Sequence, residues 1–376
     1  MDQLPDSKIP VLIASSLKPL KDTRAWEKLC FSLRETNKYD LNIIGFSSKI
    51  EESQLGIKLF SSIRDFNSKK DRLFSQFRFL KTLLKVRPKL LICCTYEYLP
   101  IASFCKPILG YQLIYDVQEN YVLNLDLNPN SAPGKKKLAK KIIEFCEHTS
   151  AIDHYIFAEK CYTQEMPDKA PFLILENKYA GKIRAVSALD YREKEQFKLL
   201  ISGTLSPVFG TLEGIHFFKK LLENSPNSSL VIIGHCPIKS YQNKIAFEAG
   251  KVRQIELKIS DKPIPHQEIL EQIEAADFCL LPYQNQVAIS SKMPTKLFES
   301  VSLGTPIISS KNTLWEEFIS SYDAGFTTDF SKEENDPSVI FQKLQDQFFK
   351  HGVDEEVNWN SQKVAFQNLI AKLSKA

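Results

Sequence analysis

The stretch SKMPTKLFESVSLGTPIISS, residues 291–310, reads as a short helix followed by a buried strand. Pro294 suits the first turn of a helix, where its missing N–H costs nothing, and Gly304 suits the position just past the end. Leu297, Val301 and, less regularly, Phe298 supply a buried side, and Thr305–Ser309 forms the strand. Lys296 and Glu299 are three apart and share a face beside the helix N-terminus. That corner gathers backbone N–H groups and partial positive charge, so with a lysine it suits a phosphate. A glutamate one turn further in suits vicinal hydroxyls such as those of a ribose. A surface ion pair on a packed helix fits these residues equally well, and the rest of the chain has to decide.

Outward from this stretch, strand-like apolar runs alternate with helical patterns along the chain. PVLIASSL (10–17), LNIIGF (41–46), IKLFSS (57–62), KLLICCTY (89–96), QLIYDV (112–117), HYIFAE (154–159) and FLILEN (172–177) are strands. Helical stretches fall at 23–36 and 70–87, the second with a stripe of Leu73, Phe77, Leu80 and Leu84. The charged segment KIRAVSALDYREKEQ (182–196) breaks the pattern and reads as a linker. Alternation then restarts with FKLLISGT (197–204), SLVIIG (229–234), RQIELKIS (253–260) and DFCLLPY (277–283). Helices are expected at 211–223, 239–249, 266–275 and near 337–350. Near-continuous apolar strands between helices predict parallel sheets covered on both faces, here two doubly wound α/β domains in series. Ligands of such sheets bind at the carboxyl ends of the strands.

Bulk properties narrow the function. At 376 residues, 43% hydrophobic and 25% charged, the chain has the composition of a soluble globular protein. LLICC (90–94) is far too short to cross a bilayer, and the polar start MDQLPDSKIP carries no leader pattern, so a cytoplasmic protein is expected. Eight cysteines without any C-x-x-C, and six unclustered histidines, point to reduced core thiols and to no metal site. The net charge of +4 is uneven: residues 1–180 hold 27 Lys+Arg against 21 Asp+Glu, and the remainder 22 against 24. The basic surplus concentrates along 69–89 and in GKKKLAKK (134–141). Without interleaved exposed aromatics these stretches do not read as a nucleic-acid platform, and an anionic membrane surface is the expected partner.

The order of motifs resembles the GT-B-type glycosyltransferases, specifically the retaining family-4 (group 1) enzymes. The pattern S-x-x-x-P-x-K-L-F-E-x-x-x-x-G-x-P-I-I lies in 290–308. SSLKPLKDTRAWEKL (15–29) resembles the family's first loop, and LIYDVQEN (113–120) its Y-D-x-H-E segment. ISGTLSPVFGTLEGI (201–215), LVIIGHCP (230–237) and AADFCLLPY (275–283) resemble the glycine-bearing turns and the A-D-x-x-L-x-P segment of the second domain. The resemblance implies two Rossmann-like domains facing across a cleft: residues 1–180, with the helix of 356–376 crossing back, and 181–355. Trp359, Val364, Phe366 and Leu369 are the expected contacts of that last helix. It also implies transfer of a sugar from a nucleotide-diphosphate-sugar, UDP-sugar favoured, to a glycan or lipid-linked acceptor. Retention at the anomeric carbon, no cofactor and no metal are expected.

Residue by residue, the resemblance gives Lys296 the donor diphosphate and Glu299 the ribose. Gly203, Thr204, Ser206 and the amides of Gly210 and Thr211 line the turn that opens the second domain. Ser290, Ser291 and Lys292 face sugar and phosphates through backbone amides, a helix cap being the alternative. Gln118, Glu119 and Lys296 stand at the catalytic positions, while Lys18, Asp22 and Arg24 lie on the acceptor side, Arg24 alternatively pairing with Asp22 or Glu27. His235 reads as a turn histidine bonded to nearby backbone.

Three departures qualify the comparison. Ser291 stands where the first of two family glutamates is expected, GTLSPVFGT (203–211) lacks the usual arginine and lysine, and Gln118 replaces a histidine. Glutamine carries no proton at neutral pH. A noncatalytic GT-B partner subunit and a nucleotide-sugar epimerase are the competing functions. The helix of 134–148, with Leu138, Ile142, Phe145 and Cys146 on one stripe among lysines, either docks on its sheet or meets anionic lipid.

Overall fold

A computed structural model describes residues 8–49, 51–65, 68–127, 132–185, 188–330 and 336–375. The N-terminal stretch 1–7 and positions 186–187 of the charged segment lie outside the described residues. The chain divides into two compact units, Met1–Ala180 with Trp359–Ala376, and Gly181–Asn358.

The first unit is a seven-stranded parallel sheet. Its strands are β1 (Ile9–Pro19), β2 (Tyr39–Phe46), β3 (Lys58–Ser61), β4 (Leu90–Cys93), β5 (Gln112–Val117), β6 (His154–Phe157) and β7 (Phe172–Ile174). They are ordered β3-β2-β1-β4-β5-β6-β7, so the winding reverses between β1 and β4. Every residue of LLIC in β4 is buried, which is why the strand reads as a continuous apolar run. A π-helical turn, Thr23–Cys30, opens the expected first helix and passes into α1 (Phe31–Arg34). The other helices are α2 (Lys69–Val86), α3 (Leu99–Leu109), α4 (Tyr121–Asn124), α5 (Pro133–Glu147) and α6 (Tyr162–Glu165). Ser68 caps α2 by accepting from the Asp71 amide, and Gly110, at φ 69°, ends α3.

The second unit starts with β8 (Leu189–Asp190) and continues with β9 (Lys198–Thr204), α7 (Thr211–Leu221), β10 (Ser229–His235) and α8 (Lys239–Ala249). Then follow β11 (Ile255–Ser260), α9 (His266–Glu274), β12 (Phe278–Leu281), α10 (Val287–Ser290) and α11 (Thr295–Leu303). β13 (Ile307–Ser310), α12 (Thr313–Ser321), β14 (Gly325–Thr328), α13 (Pro337–Leu344) and β15 (Gln347–Phe348) complete it. Six parallel strands run β11-β10-β9-β12-β13-β14, with the reversal between β9 and β12.

The segment expected as a linker is a packed part of this unit. β8 pairs antiparallel with β15, and the Tyr191 ring meets Phe197, Phe278 and Phe348 at 5.7–6.1 Å. The same ribbon ends the expected last helix at Leu344 instead of 350. After α13 the chain returns to the first unit as α14 (Asn360–Leu373), where Trp359, Phe366 and Ile370 are buried against Leu29 and Leu33. At roughly 1.5–3 kcal/mol for each fully buried large side chain, these three anchor the helix. Trp359 Nε1 also donates to Ser32 Oγ at 2.8 Å. Leu369 is partly buried against this cluster. Val364, expected as a contact, is 59% exposed instead, while Ile370 holds the buried position the sequence analysis passed over.

Most of two apolar helical stripes faces outward, although Leu80 of the first packs against the core. On α2 the core residues are Phe79 and Leu83, whereas Leu73, Phe74, Phe77 and Leu84 are exposed. On α5 only Ile143 is buried, and Leu138, Ile142 and Phe145 are exposed. Helix α5 docks through Ile143 and Glu147, whereas the expected stripe of Leu138, Ile142 and Phe145 points to solvent. The premise that the basic stretches lack exposed aromatics is corrected too. Among the described residues no helix is long and apolar enough to cross a membrane.

Candidate functional site

In the second unit, the C-terminal ends of β9 and β12 frame the corner expected to bind the donor. Helix α11 starts at Thr295, with Pro294 as its cap, and stops at Gly304, which adopts φ 70°. Gly203, at the end of β9, has φ 98°, and a methyl group placed on it would overlap Lys296 Nζ. The left-handed backbone favours glycine there, and the ammonium lies directly against it. Lys296 is half-buried, and no hydrogen-bond or ion-pair partner holds its Nζ among the described residues. Burial works against its charge, but the nearby Tyr283 and Glu299 outweigh burial and raise its pKa above the ordinary lysine value. It is a cation held close to glycine backbone and available to an anion.

Glu299, one turn on, is 9% exposed. His266, the first residue of α9, lies with Nε2 2.9 Å from Glu299 Oε1. His266 was missed in the sequence analysis; its only signal is its position at the start of the helix after β11. One carboxylate oxygen faces the imidazole, which helps orient the group.

Of the other expected donor contacts, several amides are already engaged. The Gly210 amide donates to Pro207 O at 3.1 Å, and its φ of 63° lets its backbone approach the Pro282 carbonyl. Thr211 is fully buried, and its hydroxyl faces the interior. Thr204 is exposed and Ser206 half-buried on the same turn. The Ser290 amide donates to Gln286 O at 2.9 Å, and the Ser291 and Lys292 amides both donate to Ile289 O. All three amides expected to face phosphate are thus engaged within the α10 turn. Asn312 and Trp315, both absent from the sequence-based site, clamp that turn from outside. Asn312 Nδ2 donates to Ser290 O and Trp315 Nε1 to Lys292 O, both at 2.8 Å.

A cavity of about 490 Å³ opens beside β12, β13 and β14, lined by Glu213, Tyr283, Gln284, Lys311, Asp329 and Phe330. Neither Lys296 nor Glu299 lines it, so volume and charge select different places. The unpaired lysine carries the stronger chemical argument.

In the first unit, the expected acceptor-side residues build a closed network. Arg24 is 2% exposed; its Nε and Nη2 donate to both Asp116 oxygens at 2.6–3.0 Å. Its Nη1 donates to Leu175 O and Asn177 Oδ1. Burial works to lower the Arg24 pKa, and Asp116 overrides it so that the net shift is upward. Neither expected partner, Asp22 or Glu27, holds the guanidinium. Asp22 instead caps the first helix, accepting from the Arg24 and Ala25 amides. Gln118 is 8% exposed and donates through Nε2 to Asp116 Oδ2 at 2.9 Å. Glu119 is bridged by Lys18 Nζ at 3.1 Å and Asn124 Nδ2 at 3.0 Å. His235 is half-buried at the end of β10, where its carbonyl accepts from the Leu205 amide at 2.8 Å. Among the described residues no group of His, Cys, Asp or Glu is arranged to hold a metal ion.

Comparison with known proteins agrees with this architecture. Residues 184–346 match the family model described as Glycosyl transferases group 1. No curated protein matches the chain. Among solved structures, sucrose-phosphate synthase from Thermosynechococcus elongatus is similar over 97% of this chain and 99% of its own, at 10% identity and TM-score 0.70. HepE of Anabaena, in complex with UDP and glucose, is similar over 98% and 100%, at 13% identity and TM-score 0.63. The catalytic domain of starch synthase IV from Arabidopsis thaliana, bound to ADP and acarbose, is similar over 99% and 100%, at 10% identity and TM-score 0.62. The fold is that of the GT-B glycosyltransferases, and the second unit carries the group 1 family pattern.

Proposed function

We propose that this GT-B chain, whose second unit matches the group 1 glycosyltransferase model, moves a sugar from a nucleotide-diphosphate-sugar to a glycan or lipid-linked acceptor, with retention. The observation that carries the proposal is Lys296 at the start of α11: an ammonium without a carboxylate partner among the described residues, set against Gly203 of β9. A diphosphate gains negative charge as it leaves the sugar, and a fixed cation favours that state over the ground state. Glu299, oriented by His266, takes the ribose hydroxyls. Gln118 is read as a hydrogen-bonding group and not as a proton carrier. HepE was solved with UDP and glucose, and a UDP-sugar is accordingly the favoured donor. A lipid-linked acceptor would bring the protein to an anionic membrane, with 134–148 as the contact, on the cytoplasmic side.

A second function, a noncatalytic GT-B partner, is favoured by the engaged amides of 290–292 and the absence of a basic side chain in 203–211. One experiment separates the two. UDP-, GDP- and ADP-sugars are screened by thermal shift, where a ligand at a hundredfold its Kd adds about 2.7 kcal/mol. The stabilising donor is then incubated with glycan and polyprenyl-linked acceptors, with and without EDTA. Transfer that persists in EDTA supports the enzyme with lysine-held diphosphate. Donor binding without turnover on any acceptor supports the partner subunit. Turnover lost in EDTA and restored by magnesium moves the diphosphate from Lys296 to a metal.

A further inference from the structure

Three helices of the first unit present apolar side chains to solvent on the same side of the sheet. Right-handed crossovers place the β3–β4, β4–β5 and β5–β6 connections on one face. Phe79 and Leu83 of α2 and Leu99, Ala102 and Cys105 of α3 accordingly share one buried cluster. Helix α5 lies alongside, with Glu147 accepting from Tyr115 OH at 2.7 Å.

The outer surface of these helices is unlike an ordinary solvated face. On α2, Leu73, Phe74 and Phe77 are 70%, 56% and 67% exposed, at helical spacing with Lys70, Lys81 and Lys85. On α3, Phe104 and Ile108 stand one turn apart at 76% and 74%. On α5, Leu138, Ile142 and Phe145 repeat at helical spacing, with Lys135 and Lys141 in the same stripe and Lys137 beside it. Lys136 pairs with Asp126 and Lys140 with Glu144, whereas Lys135, Lys137 and Lys141 meet no carboxylate among the described residues. Residues 70–86 hold five basic side chains against one acidic. Isolated exposed apolar residues are ordinary, but repeated ones on three neighbouring helices are not.

We propose that α2, α3 and α5 form one membrane-seating face, whose apolar side chains enter the interface of an anionic bilayer while its lysines meet the headgroups. The proposal rests on the membrane contact assigned above to 134–148 and enlarges it from one helix to three. Charge complementarity selects the occupant. Protein interfaces are depleted in lysine at their core, whereas amphipathic membrane faces combine lysine with Leu and Phe, the long stems reaching up to the headgroups. The aliphatic share, from Leu73 to Ile142, offers nothing to a nucleic-acid base, which stacks on aromatic rings.

The test is flotation of the full chain with phosphatidylglycerol-containing vesicles and with phosphatidylcholine vesicles. Wild type is compared with Phe77→Asp, Phe104→Asp and Phe145→Asp, one for each helix, and with the triple Lys135→Gln, Lys137→Gln, Lys141→Gln. All six positions are exposed or at the surface, and the donor-induced thermal shift checks that each variant is folded. Wild type is expected to float with the anionic vesicles only, and each Asp variant to bind at least about tenfold more weakly. Flotation of Phe104→Asp at the wild-type level overturns the three-helix face, as does failure of wild type to float. A wild-type dimer that Phe104→Asp converts to monomer, or single-stranded RNA binding lost in Phe77→Asp, each without flotation, overturns it in favour of another occupant. Transfer to a water-soluble acceptor is measured on the same proteins. Flotation in the expected pattern without any transfer leaves the lipid face standing and removes the transferase reading.

Discussion

The two units each hold a basic residue and a carboxylate that the family motifs singled out, and the structure treats them oppositely. Arg24 and Asp116 are both within 3% of full burial and meet at 2.6 Å, with Leu175, Asn177 and Gln118 taking up further hydrogen-bonding capacity. Lys296 and Glu299 sit three residues apart without bonding each other; the lysine is unpaired among the described residues and the glutamate leans on His266. A closed network holds its own chain together. Lys296, partly desolvated and without a counter-ion among the described residues, is the cation proposed to meet the donor.

The largest expected effect tests the closed network. Asp116→Ala leaves the Arg24 guanidinium buried without a counter-charge, which typically costs about 3–5 kcal/mol. Replacing both, as Arg24→Met with Asp116→Leu, should recover most of that loss, because two apolar side chains of similar size avoid desolvating either charge. Urea unfolding of the three proteins measures this. A single variant as stable as wild type, or a double variant as unstable as the single, would show that the pair is not structural and return Arg24 to the acceptor side.

The open pair is expected to behave the other way round. Lys296→Ala should weaken nucleotide-sugar binding by about 1.5–3 kcal/mol, the range for a charge-assisted hydrogen bond, and leave stability nearly unchanged. Calorimetric titration reads the first and the melting temperature the second. Unchanged donor affinity in a folded Lys296→Ala protein would end the comparison, since Lys296 would then be an ordinary surface cation.

Much of the fold was legible because its signals are local. Buried parallel strands such as LLIC in β4 are apolar throughout, and Gly304 marked the end of α11 through its left-handed backbone. Helix faces were less legible. Leu73, Phe77, Leu138 and Phe145 have the spacing of a core stripe, yet periodicity states only that residues share a side, not which side the sheet occupies. A candidate site could be named where a residue type is tied to a chemistry, as for Lys296, whose donor role is a proposal. It was not readable where contacts arise across long separations: His266 and Glu299 are 33 positions apart, and Arg24 and Asp116 are 92 apart. The amides of 290–292 were misassigned for a related reason. A capping turn and an anion-binding turn use the same backbone groups, and only the structure shows that Ile289 and Gln286 already accept from them.

The smallest effect sharpens the comparison within the open pair. If His266 only fixes the orientation of Glu299, removing it should cost less than removing either residue proposed to touch the donor. His266→Ala is expected to weaken donor binding by about 1 kcal/mol, the net worth of one ordinary hydrogen bond. His266→Gln, which can offer an N–H toward Glu299 Oε1, should restore part of the loss. The effect should also depend on the ribose: a 2′-deoxyribose donor, lacking one of the hydroxyls assigned to Glu299, should lose less on the His266→Ala change than the ribose donor does. Titration of both donors against wild type and the two variants gives a double-mutant cycle for the His266–Glu299–ribose arrangement. Equal losses with both sugars would mean that His266 acts only on the packing of α9 against α11, leaving Glu299 free to orient itself. A loss confined to the ribose donor would place the imidazole in the recognition of the nucleotide, through the carboxylate it contacts.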